Sequence, residues 1–325
     1  MLANGITSSD ANNLLFDLWQ IPRVKSNNKP KFKKREVVPF PTPSSLMRTD
    51  LLKLKSRDYL VSVKNDGIRS ILIFGSFRTQ ASNIHFENMA LFIQRNGVVS
   101  HSNYTTDDTE IYCGTAFDGE LLKDGSFIVF DMVSAYGYSY TSQELPKRLI
   151  AARNTVAKLI PNSATNLITV KEFFNKHDSR HLFDALSEGS LLSLQVDGLI
   201  LAPTVAGVGI GRLINYYKYK ESNQITVDLS WCQNDRLLRC GPPGNELIED
   251  AIRNVLWNED DFKLFDNGVY ECTLTKKTNE LTLYPKIKRN DKTTANSKYV
   301  ILRTVQNVIE NIQPLEVWEA LTCLG

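Results

Sequence analysis

Long hydrophobic runs are lacking in this 325-residue chain, and no apolar stretch approaches the roughly 20 residues that a membrane-spanning helix needs. The five cysteines are scattered and form no Cys-x-x-Cys pair, which argues against a disulfide framework or a structural zinc site and predicts an intracellular, reducing compartment. The first residues show no basic start followed by an apolar block, so no secretory signal is predicted. A membrane is therefore not among the expected partners.

A strong excess of charge of one sign is also lacking, because the formal net charge is only +2. Total charge therefore does not indicate a nucleic-acid-binding protein. A local basic stretch that would attract RNA phosphates lies between residues 23 and 35 and is composed of Arg23, Lys25, Lys29, Lys31, Lys33, Lys34 and Arg35. A solvated basic linker is the interpretation we favour for this stretch.

The hydrophobic pattern divides the chain into two predicted domains. Its length and its 42% hydrophobic content are typical of a soluble protein large enough for two domains. Residues 1–222 alternate strand-like runs with helical patterns at 146–160 and 171–186, which predicts an α+β domain whose residues 1–43 are partly linker-like. Residues 223–325 carry short strands and turns, which predict a small β-barrel or sandwich. The long helix predicted at its end is able to pack back on the first domain.

The segment Lys64-Asn-Asp-Gly-Ile-Arg69 lies between two strand-like runs. Its Asp66-Gly67 pair predicts a tight turn, so the segment as a whole predicts a strand, a turn and a second strand. A lysine amine is a nucleophile only when it is neutral, which requires cationic neighbours or desolvation. An exposed hairpin accounts for these residues equally well, so the segment alone does not decide its function.

Two Asp-Gly segments supply further carboxylates near strands. In Phe117-Asp-Gly-Glu-Leu121, strand alternation predicts that Asp118 and Glu120 face the same side, where they need a cation between them. This pattern predicts a site for a divalent metal or a ribose hydroxyl, with a solvated turn as the alternative. In Val196-Asp-Gly-Leu-Ile200, Asp197 directly precedes an apolar strand.

Basic residues cluster in two later segments. In Tyr217-Lys-Tyr-Lys220, strand alternation predicts that both lysines lie on one face and both tyrosines on the other. Asp228 follows in another strand-like run, and Lys286-Ile-Lys-Arg-Asn-Asp-Lys292 precedes the last long helix. Paired cations grip phosphate groups, although an exposed basic surface is the simpler explanation for each segment taken alone.

Taken in order, these motifs resemble those of the covalent nucleotidyltransferase superfamily, which holds mRNA capping enzymes and the ATP- and NAD-dependent ligases. The order is Lys-x-Asp-Gly-x-Arg, Asp-Gly-Glu, Phe-Asp, Asp-Gly-Leu-Ile, Lys-x-Lys and Arg-x-Asp-Lys, and the resemblance extends from Phe40 to about Ile312. It implies a nucleotidyltransferase domain of antiparallel sheets with flanking helices, followed by a C-terminal OB-fold β-barrel domain. It also implies that GTP binds in the cleft between the two domains.

Three details are similar to capping enzymes rather than to ligases. Phe40-Pro41 is followed by Ser45-Leu46 ahead of the expected nucleophile. Lys220 is followed eight positions later by Asp228, within Thr-Val-Asp-Leu. Asn296 trails the Arg-x-Asp-Lys motif, and a helix comes after it.

Two positions depart from the capping pattern, because Glu221 stands where a proline is usual and Arg95 follows Gln94 instead of an aspartate. The activity implied by the resemblance is transfer of GMP from GTP to the 5′-diphosphate end of RNA through a covalent lysine–GMP intermediate. An ATP-dependent RNA or DNA ligase is the nearest alternative. An inactive RNA-binding or scaffold homologue is an alternative of another class.

The resemblance assigns a role to each matching residue. Lys64 is the expected nucleophile, and the residues expected to assist it are Lys218, Lys220, Arg289, Asp291 and Lys292. The residues expected to bind GTP are Asp66, Gly67, Arg69, Arg95, Glu120, Phe130, Asp197, Arg212 and Asp228. Phe130 is expected to stack on guanine. Mg²⁺ or Mn²⁺ is the expected cofactor, with Glu120 and Asp197 as its ligands.

Motifs of the other cap-forming activities are not found in the sequence. It contains no His-Cys-x5-Arg loop of a cysteine-dependent RNA triphosphatase and no Gly-rich methyltransferase turn after a first strand. The glycines of residues 207–211 lie between two strand-like runs and are interpreted as a connecting turn. A separate RNA triphosphatase and a cap methyltransferase are therefore expected partners, with RNA polymerase as a further candidate. The expected location is the nucleus or a viral replication compartment.

Overall fold

The structure is a computed structural model in which the described residues are 6, 10, 11, 14, 41–78, 85–95, 97–191, 196–205, 207–208, 211–232, 237–241, 255–257, 267–277, 280–290 and 292–323. The basic stretch at 23–35 lies outside these residues. Within the described part of the chain, no helix is both long enough and apolar enough to cross a membrane.

Strands form most of the regular structure. Strands β1 to β10 are Pro41–Ser45, Tyr59–Asn65, Ile68–Arg78, His85–Gln94, Val99–His101, Tyr104–Thr105, Thr115–Leu121, Phe127–Ala135, Tyr138–Ser139 and Ile160–Pro161. Strands β11 to β19 are Ile168–Val170, Phe174–Asn175, Val196–Pro203, Gly211–Tyr219, Thr226–Cys232, Leu237–Arg239, Val255–Trp257, Gly268–Lys277 and Glu280–Lys288. Helices α1 to α5 are Leu51–Lys55, Leu145–Val156, Arg180–Ser187, Lys298–Glu310 and Pro314–Thr322.

The two predicted helices of the α+β region have different outcomes. Helix α2 confirms the prediction at 146–160 as far as Val156, whereas Ile160 already belongs to β10. Pro146 stands in the first turn of the helix, where its missing N–H costs no hydrogen bond. The prediction at 171–186 is wrong in its first half, because helix begins only at Arg180. The preceding residues include β12, in which Phe174 pairs with Val61 of β2. Pairing with a neighbouring strand overrides the local helical pattern there.

The fold is α+β, and its sheets are mostly antiparallel. One sheet has the strand order β1-β14-β13-β2-β12, and a second has the order β11-β8-β7-β3-β4-β5 with β9 paired to β8. A third has the order β16-β15-β18-β19-β17, and β10 and β6 form a short ribbon. Parallel pairing occurs between β11 and β8 and between β17 and β19.

The chain forms two compact units that are each assembled from separate segments. The first unit comprises 1–44, 58–175 and 200–216, and the second comprises 45–57, 176–199 and 217–325. The chain therefore passes from one unit to the other more than once, partway along strands β1, β13 and β14. The single domain boundary predicted after residue 222 stays a prediction.

Both faces of the seven-stranded sheet of the first unit are buried. Along β3, Ile71 and Ile73 belong to one apolar cluster, whereas Leu72 and Phe74 belong to another, as strand alternation requires. Helix α2 covers the second face, where Ala152 is fully buried. Because each face has its own core, residues 71–74 at the centre of β3 form a continuous apolar run. The polar residues lie toward the ends of the strand.

The second unit contains the third sheet, whose five strands agree in number with a five-stranded, partly open OB-fold. Ile301, Val305 and Val308 of α4 pack into the core of this sheet. Val300 and Ile309 of the same helix are exposed.

Residues 45–57 are tied to the C-terminal helices within the second unit. The Arg48 backbone N–H donates to Glu310 Oε2 at 2.7 Å, and its Nη1 donates to Glu316 Oε1 at 2.8 Å. The Asn307 side chain donates to the Leu46 carbonyl oxygen at 2.5 Å. These bonds join positions that are more than 250 residues apart in the sequence.

Candidate active site

Lys64 lies near the end of β2, and the chain then crosses from one sheet to another. Strand β2 pairs within the five-stranded sheet of β1 and β14, whereas β3 begins at Ile68 in the seven-stranded sheet. The predicted order of strand, turn and strand is confirmed, but the two strands do not pair with each other as a hairpin. An Asp-Gly pair allows a sharp change of direction, but the pairing of the strands on either side depends on contacts with distant segments.

Gly67 brings the backbone of this crossing against β7. A Cβ atom at Gly67 would lie 2.6 Å from the Leu121 carbonyl oxygen and 2.9 Å from Glu120 Cγ, which no side chain tolerates without a shift. The Gly67 N–H donates to Glu120 Oε1 at 3.1 Å. Close approach thus fixes the loop beside the Glu120 carboxylate, as expected for a glycine at such a contact.

A row of polar residues crosses one end of the seven-stranded sheet. Arg69 on β3 is the register partner of Glu120 on β7. On the other side of β3, Ser70 pairs with Gln94, the last residue of β4. Arg95 follows Gln94 in an exposed turn. The register thus brings Arg95 to the same end of the sheet as Arg69 and Glu120.

The Glu120 carboxylate lies in the field of three cations. Burial raises its pKa, and Lys64, Arg69 and Lys171 oppose that shift. The partly buried Lys64 side chain therefore acts on this cluster from the end of β2. The cluster thus places an amine among the cations that a nucleoside triphosphate requires.

Phe130 on β8 is bordered by two of these cations. The Arg69 guanidinium carbon lies 5.1 Å from the Phe130 ring centroid, and the Lys171 Nζ lies 5.5 Å from it. Both distances are within the range of cation–π attraction. A half-exposed aromatic face beside two hydrogen-bond donors is suited to a planar, polar-edged ligand such as a nucleobase.

Lys171 is the functional candidate that the sequence analysis missed. It follows β11, its backbone N–H donates to the Val129 carbonyl oxygen at 2.7 Å, and the residue is only 8% exposed. Burial lowers its pKa to about 7 against the opposing effect of Glu120, and Lys64 and Arg69 lower it further. The available signal was a lysine at the end of the apolar strand Ile168–Val170, but the region was assigned to a helix.

Asp118 does not share the environment of Glu120. Its carboxylate is 1% exposed and forms two bonds with Arg69, at 3.0 Å to Nε and 2.5 Å to Nη2. Burial raises its pKa, and Arg69 opposes the shift. Arg69 thus supplies a cation to Asp118, and it also acts electrostatically on Glu120. The metal or ribose-hydroxyl site predicted at these two carboxylates stays a prediction.

In the second unit, Asp197 forms an ion pair with Lys220. Gly198 has φ +127°, and a Cβ atom there would lie 2.1 Å from the Tyr219 carbonyl oxygen, so only glycine fits between β13 and β14. The predicted alternation on β14 is confirmed, because Tyr217 and Tyr219 are buried and the two lysines are partly exposed.

Asp228 organises the cations near the end of the third sheet. Its Oδ1 accepts from Arg289 Nη1 at 3.3 Å, and its Oδ2 accepts from Lys292. Glu271 accepts from the same Arg289 nitrogen at 2.9 Å, and Asn296 Oδ1 accepts from the Asp228 backbone N–H at 2.9 Å. Asp228 thus holds two side chains that are expected to bind phosphate groups, Arg289 and Lys292. The contact of Asp228 itself with GTP stays a prediction.

The predicted site residues are divided between the two units. The first unit contains Lys64, Asp66, Gly67, Arg69, Arg95, Glu120, Phe130 and Arg212. The second contains Asp197, Lys218, Lys220, Asp228, Arg289, Asp291 and Lys292. Asp291 and the side chain of Arg212 lie outside the described residues.

The donor chemistry of Glu120 fits a bound Mg²⁺ or Mn²⁺. Among the described residues, no three or more His, Cys, Asp or Glu side chains are grouped to hold a metal ion. Mg²⁺, however, commonly takes one or two protein carboxylates, with substrate phosphates and water as its other ligands. Gly67 engages Glu120 Oε1, which leaves the second carboxylate oxygen suited to this role.

The α+β fold and the ordered motifs define a member of the covalent nucleotidyltransferase superfamily. Residues 20–222 match the family described as mRNA capping enzyme, catalytic domain. This match spans more than half of the 325 residues, and the chain therefore belongs to that family.

The curated and solved relatives are distant. An mRNA-capping enzyme of Danio rerio is 23% identical over 278 residues, which is 75% of this chain and 43% of the fish protein. The chain thus spans less than half the length of that relative. A mycobacterial DNA ligase D complexed with ATP and MES is 14% identical with a TM-score of 0.42, covering 78% of this chain and 94% of the ligase. A structure titled Pmar-Lig_Pre is 15% identical with a TM-score of 0.41, and the match covers 78% of this chain and 68% of that one.

Proposed function

We propose that this protein is a GTP:RNA guanylyltransferase that carries GMP on Lys64. The observation that carries the proposal is the cluster of Lys64, Arg69, Glu120 and Lys171 beside Phe130 in a chain of the capping enzyme family. This cluster combines an amine nucleophile, an aromatic face and cations that suit a nucleoside triphosphate.

In the first half-reaction, neutral Lys64 Nζ attacks the α-phosphorus of GTP. A P–N bond forms, the bond between the α-phosphorus and the bridging oxygen breaks, pyrophosphate leaves, and the amine releases a proton. In the second, a terminal β-phosphate oxygen of RNA attacks the same phosphorus, the P–N bond breaks, and Lys64 regains a proton. The product is the GpppN cap, and the shared intermediate predicts ping-pong kinetics.

Recognition of the nucleotide is assigned to the first unit. Phe130 stacks on guanine, while Arg69, Arg95 and Glu120 bind the ribose. Lys171 Nζ lies 5.5 Å from the Phe130 ring centroid and is assigned to donate to an acceptor on the base. Guanine presents the acceptor O6 where adenine presents an amino donor, so a lysine, which only donates when protonated, selects guanine.

Neutralisation of the phosphates is assigned to cations of the second unit. Lys218 and Lys220 bind the α-phosphate, and Arg289 and Lys292 orient the departing pyrophosphate. Glu120 and Asp197 would hold Mg²⁺ or Mn²⁺, which supplies further charge neutralisation at the α-phosphate when bound.

The deciding experiment is covalent labelling of the purified protein with α-³²P-labelled GTP or ATP in the presence of Mg²⁺. A labelled band in denaturing gels from GTP, and transfer of that label to 5′-diphosphate RNA, is the expected result. Labelling from ATP alone would identify a ligase-type enzyme. Labelling from neither nucleotide would favour an inactive RNA-binding homologue.

Substituting Asp228 by asparagine is expected to slow formation of the adduct by roughly 10- to 100-fold, because two cations lose the charge that holds them. The rate is measured with labelled GTP at a saturating concentration. Asp184→Asn is the matched control, because Asp184 is an exposed carboxylate of the same unit that pairs with Arg180. Equal rates in the two variants would show that Asp228 does not organise these cations for the reaction.

GTP binding is expected to take up a proton just above neutral pH. Burial lowers the pKa of Lys171 to about 7 in the free protein, and the anionic triphosphate and O6 of GTP raise it again. Between a pH of about 7 and the higher pKa that Lys171 has in the complex, Lys171 holds a proton in the complex that it lacks in the free protein. GTP affinity therefore falls as pH rises through this window, and this group adds no dependence below it.

Calorimetry in two buffers of different ionisation enthalpy measures this uptake. Lys171→Met should remove that part of the proton uptake that wild type shows near pH 8. An unchanged uptake in the variant would assign the proton to another group.

The reaction also defines the neighbouring steps. An RNA triphosphatase must supply the diphosphate end, and a methyltransferase consumes the GpppN product, which makes these separate enzymes and RNA polymerase the proposed partners. Nuclear mRNA processing is the proposed setting.

A further inference from the structure

Strand β8 contains a bulge at the aromatic residue of the candidate site. Asp131 pairs with Asp118 of β7, but the next pair in the register is Val129 with Gly119, so Phe130 has no partner on β7. A bulge of this kind bends its strand and re-aims the extra side chain. Phe130 is partly exposed, whereas Val129 and Asp131 on either side are buried.

The residue after the bulge is held by a buried arginine of α2. Arg148, which is 2% exposed, donates from Nε to Asp131 Oδ1 at 2.6 Å and from Nη2 to Asp131 Oδ2 at 2.9 Å. Arg148 Nη1 also donates to the Gln143 carbonyl oxygen, and the Met132 N–H donates to Asp131 Oδ1 at 2.8 Å. The fork of two parallel bonds fixes the geometry of Asp131 more tightly than a single bond.

The same contacts reach Arg69. Asp131 and Asp118 are neighbours across β7 and β8, where two unpaired carboxylates would repel each other. Each has its own guanidinium instead, Arg148 for Asp131 and Arg69 for Asp118. Arg69 in turn lies against the Phe130 ring at 5.1 Å. Arg148, Asp131, Asp118 and Arg69 therefore form a series of two ion pairs whose carboxylates are neighbours, and the series ends at the candidate nucleotide site.

Tyr216 also faces this series. Burial raises the pKa of its phenol, and Asp131 and Asp118 raise it further while Arg69 and Arg148 oppose them. The phenol thus stays protonated as a neutral neighbour of both ion pairs.

We propose that Arg148 is a positioning residue for nucleotide binding, which acts by holding Asp131 and thereby the bulge that presents Phe130. This role rests on the proposed function, in which Phe130 stacks on the base. Arg148 itself touches no reacting atom. Its loss leaves a buried carboxylate without a counter-ion beside Asp118, and β8 is expected to shift at the bulge.

A double-mutant cycle tests the proposal. Arg148→Lys keeps the charge but loses the fork, and it should raise the KM for GTP in adduct formation about tenfold while the saturating rate changes less. In a Phe130→Leu background, Arg148→Lys should add little, because the ring that it positions is already gone. Arg153→Lys, an exposed arginine on the same helix, should leave KM unchanged.

Additive effects of Arg148→Lys and Phe130→Leu, or an unchanged KM in Arg148→Lys, would overturn the proposal. If Arg148→Lys does not fold, Asp131→Asn enters the same cycle with the same criteria. If wild type labels with ATP instead of GTP, the proposed function fails, and the cycle is measured with ATP. If neither nucleotide labels the protein, equilibrium binding replaces KM, and absence of binding overturns the positioning role as well.

Discussion

Replacing Lys64 by alanine is expected to eliminate labelling by GTP, with a loss of at least about 10³-fold, because the amine assigned to form the P–N bond is removed. Lys64→Arg is expected to be equally inactive, since a guanidinium stays protonated in proteins and is a poor nucleophile. Both variants should retain the Glu120 and Arg69 side of the site, because those residues lie on the separate seven-stranded sheet. Labelling in denaturing gels and mapping of the labelled peptide measure the outcome.

The matched control for Lys64 is Lys147→Ala. Lys147 is an exposed lysine of α2 in the same unit and pairs with Glu144 near the start of that helix. The control should label like wild type, and all three variants should show similar thermal unfolding. Labelled peptide that still contains residue 64 in the Lys64→Ala variant, or an undiminished adduct, would disprove the assigned nucleophile.

Replacing Lys171 by methionine is expected to reduce discrimination between guanine and adenine by roughly 10- to 100-fold, the range for a hydrogen bond from a charged group. Methionine keeps an unbranched apolar stem beside Phe130 but removes the donor. Wild type should accept ITP, which retains O6, and should disfavour the triphosphate of 2,6-diaminopurine riboside, which carries an amino group there. The measurement is the ratio of kcat/KM values for adduct formation with each nucleotide.

Lys158→Met supplies the comparison for Lys171. Lys158 also contacts an aromatic ring, that of Tyr136 at 5.1 Å, but it pairs with Asp108 at the surface of the same unit. This control should leave the nucleotide preference unchanged. If Lys171→Met lowers the rates with GTP, ITP and the diaminopurine nucleotide equally, Lys171 contributes charge and not base selection.

Motif spacing was a good guide to side chains at one end of the first unit. Lys64, Arg69 and Glu120 were predicted from the order of short motifs, and in the structure Lys64 and Arg69 lie close enough to Glu120 to act on it electrostatically. The same spacing did not predict that β2 and β3 lie in different sheets, because strand pairing is decided by distant segments. The pairing of Asp118 with Arg69 was not predicted for a related reason, since the two residues are distant in sequence.

Lys171 illustrates a second limit. Its neighbours fit a helical pattern, and only the parallel pairing of Val170 with Val129 places it beside Phe130. The burial and the lowered pKa of Lys171 arise from residues that are distant from it in the sequence, so no local sequence pattern predicts them. The bulge at Phe130 is likewise a property of the β7–β8 register, which a single sequence does not display.

The bonds from Arg48 to Glu310 and Glu316 constrain the order in which the chain can fold during synthesis. The first unit is complete once residue 216 has left the ribosome, whereas residues 45–57 must wait for the last hundred residues before their partners exist. Closing loops of this length is entropically costly and slow. The nascent first unit is therefore expected to be structured while the segment that precedes Lys64 still awaits the C-terminal helices.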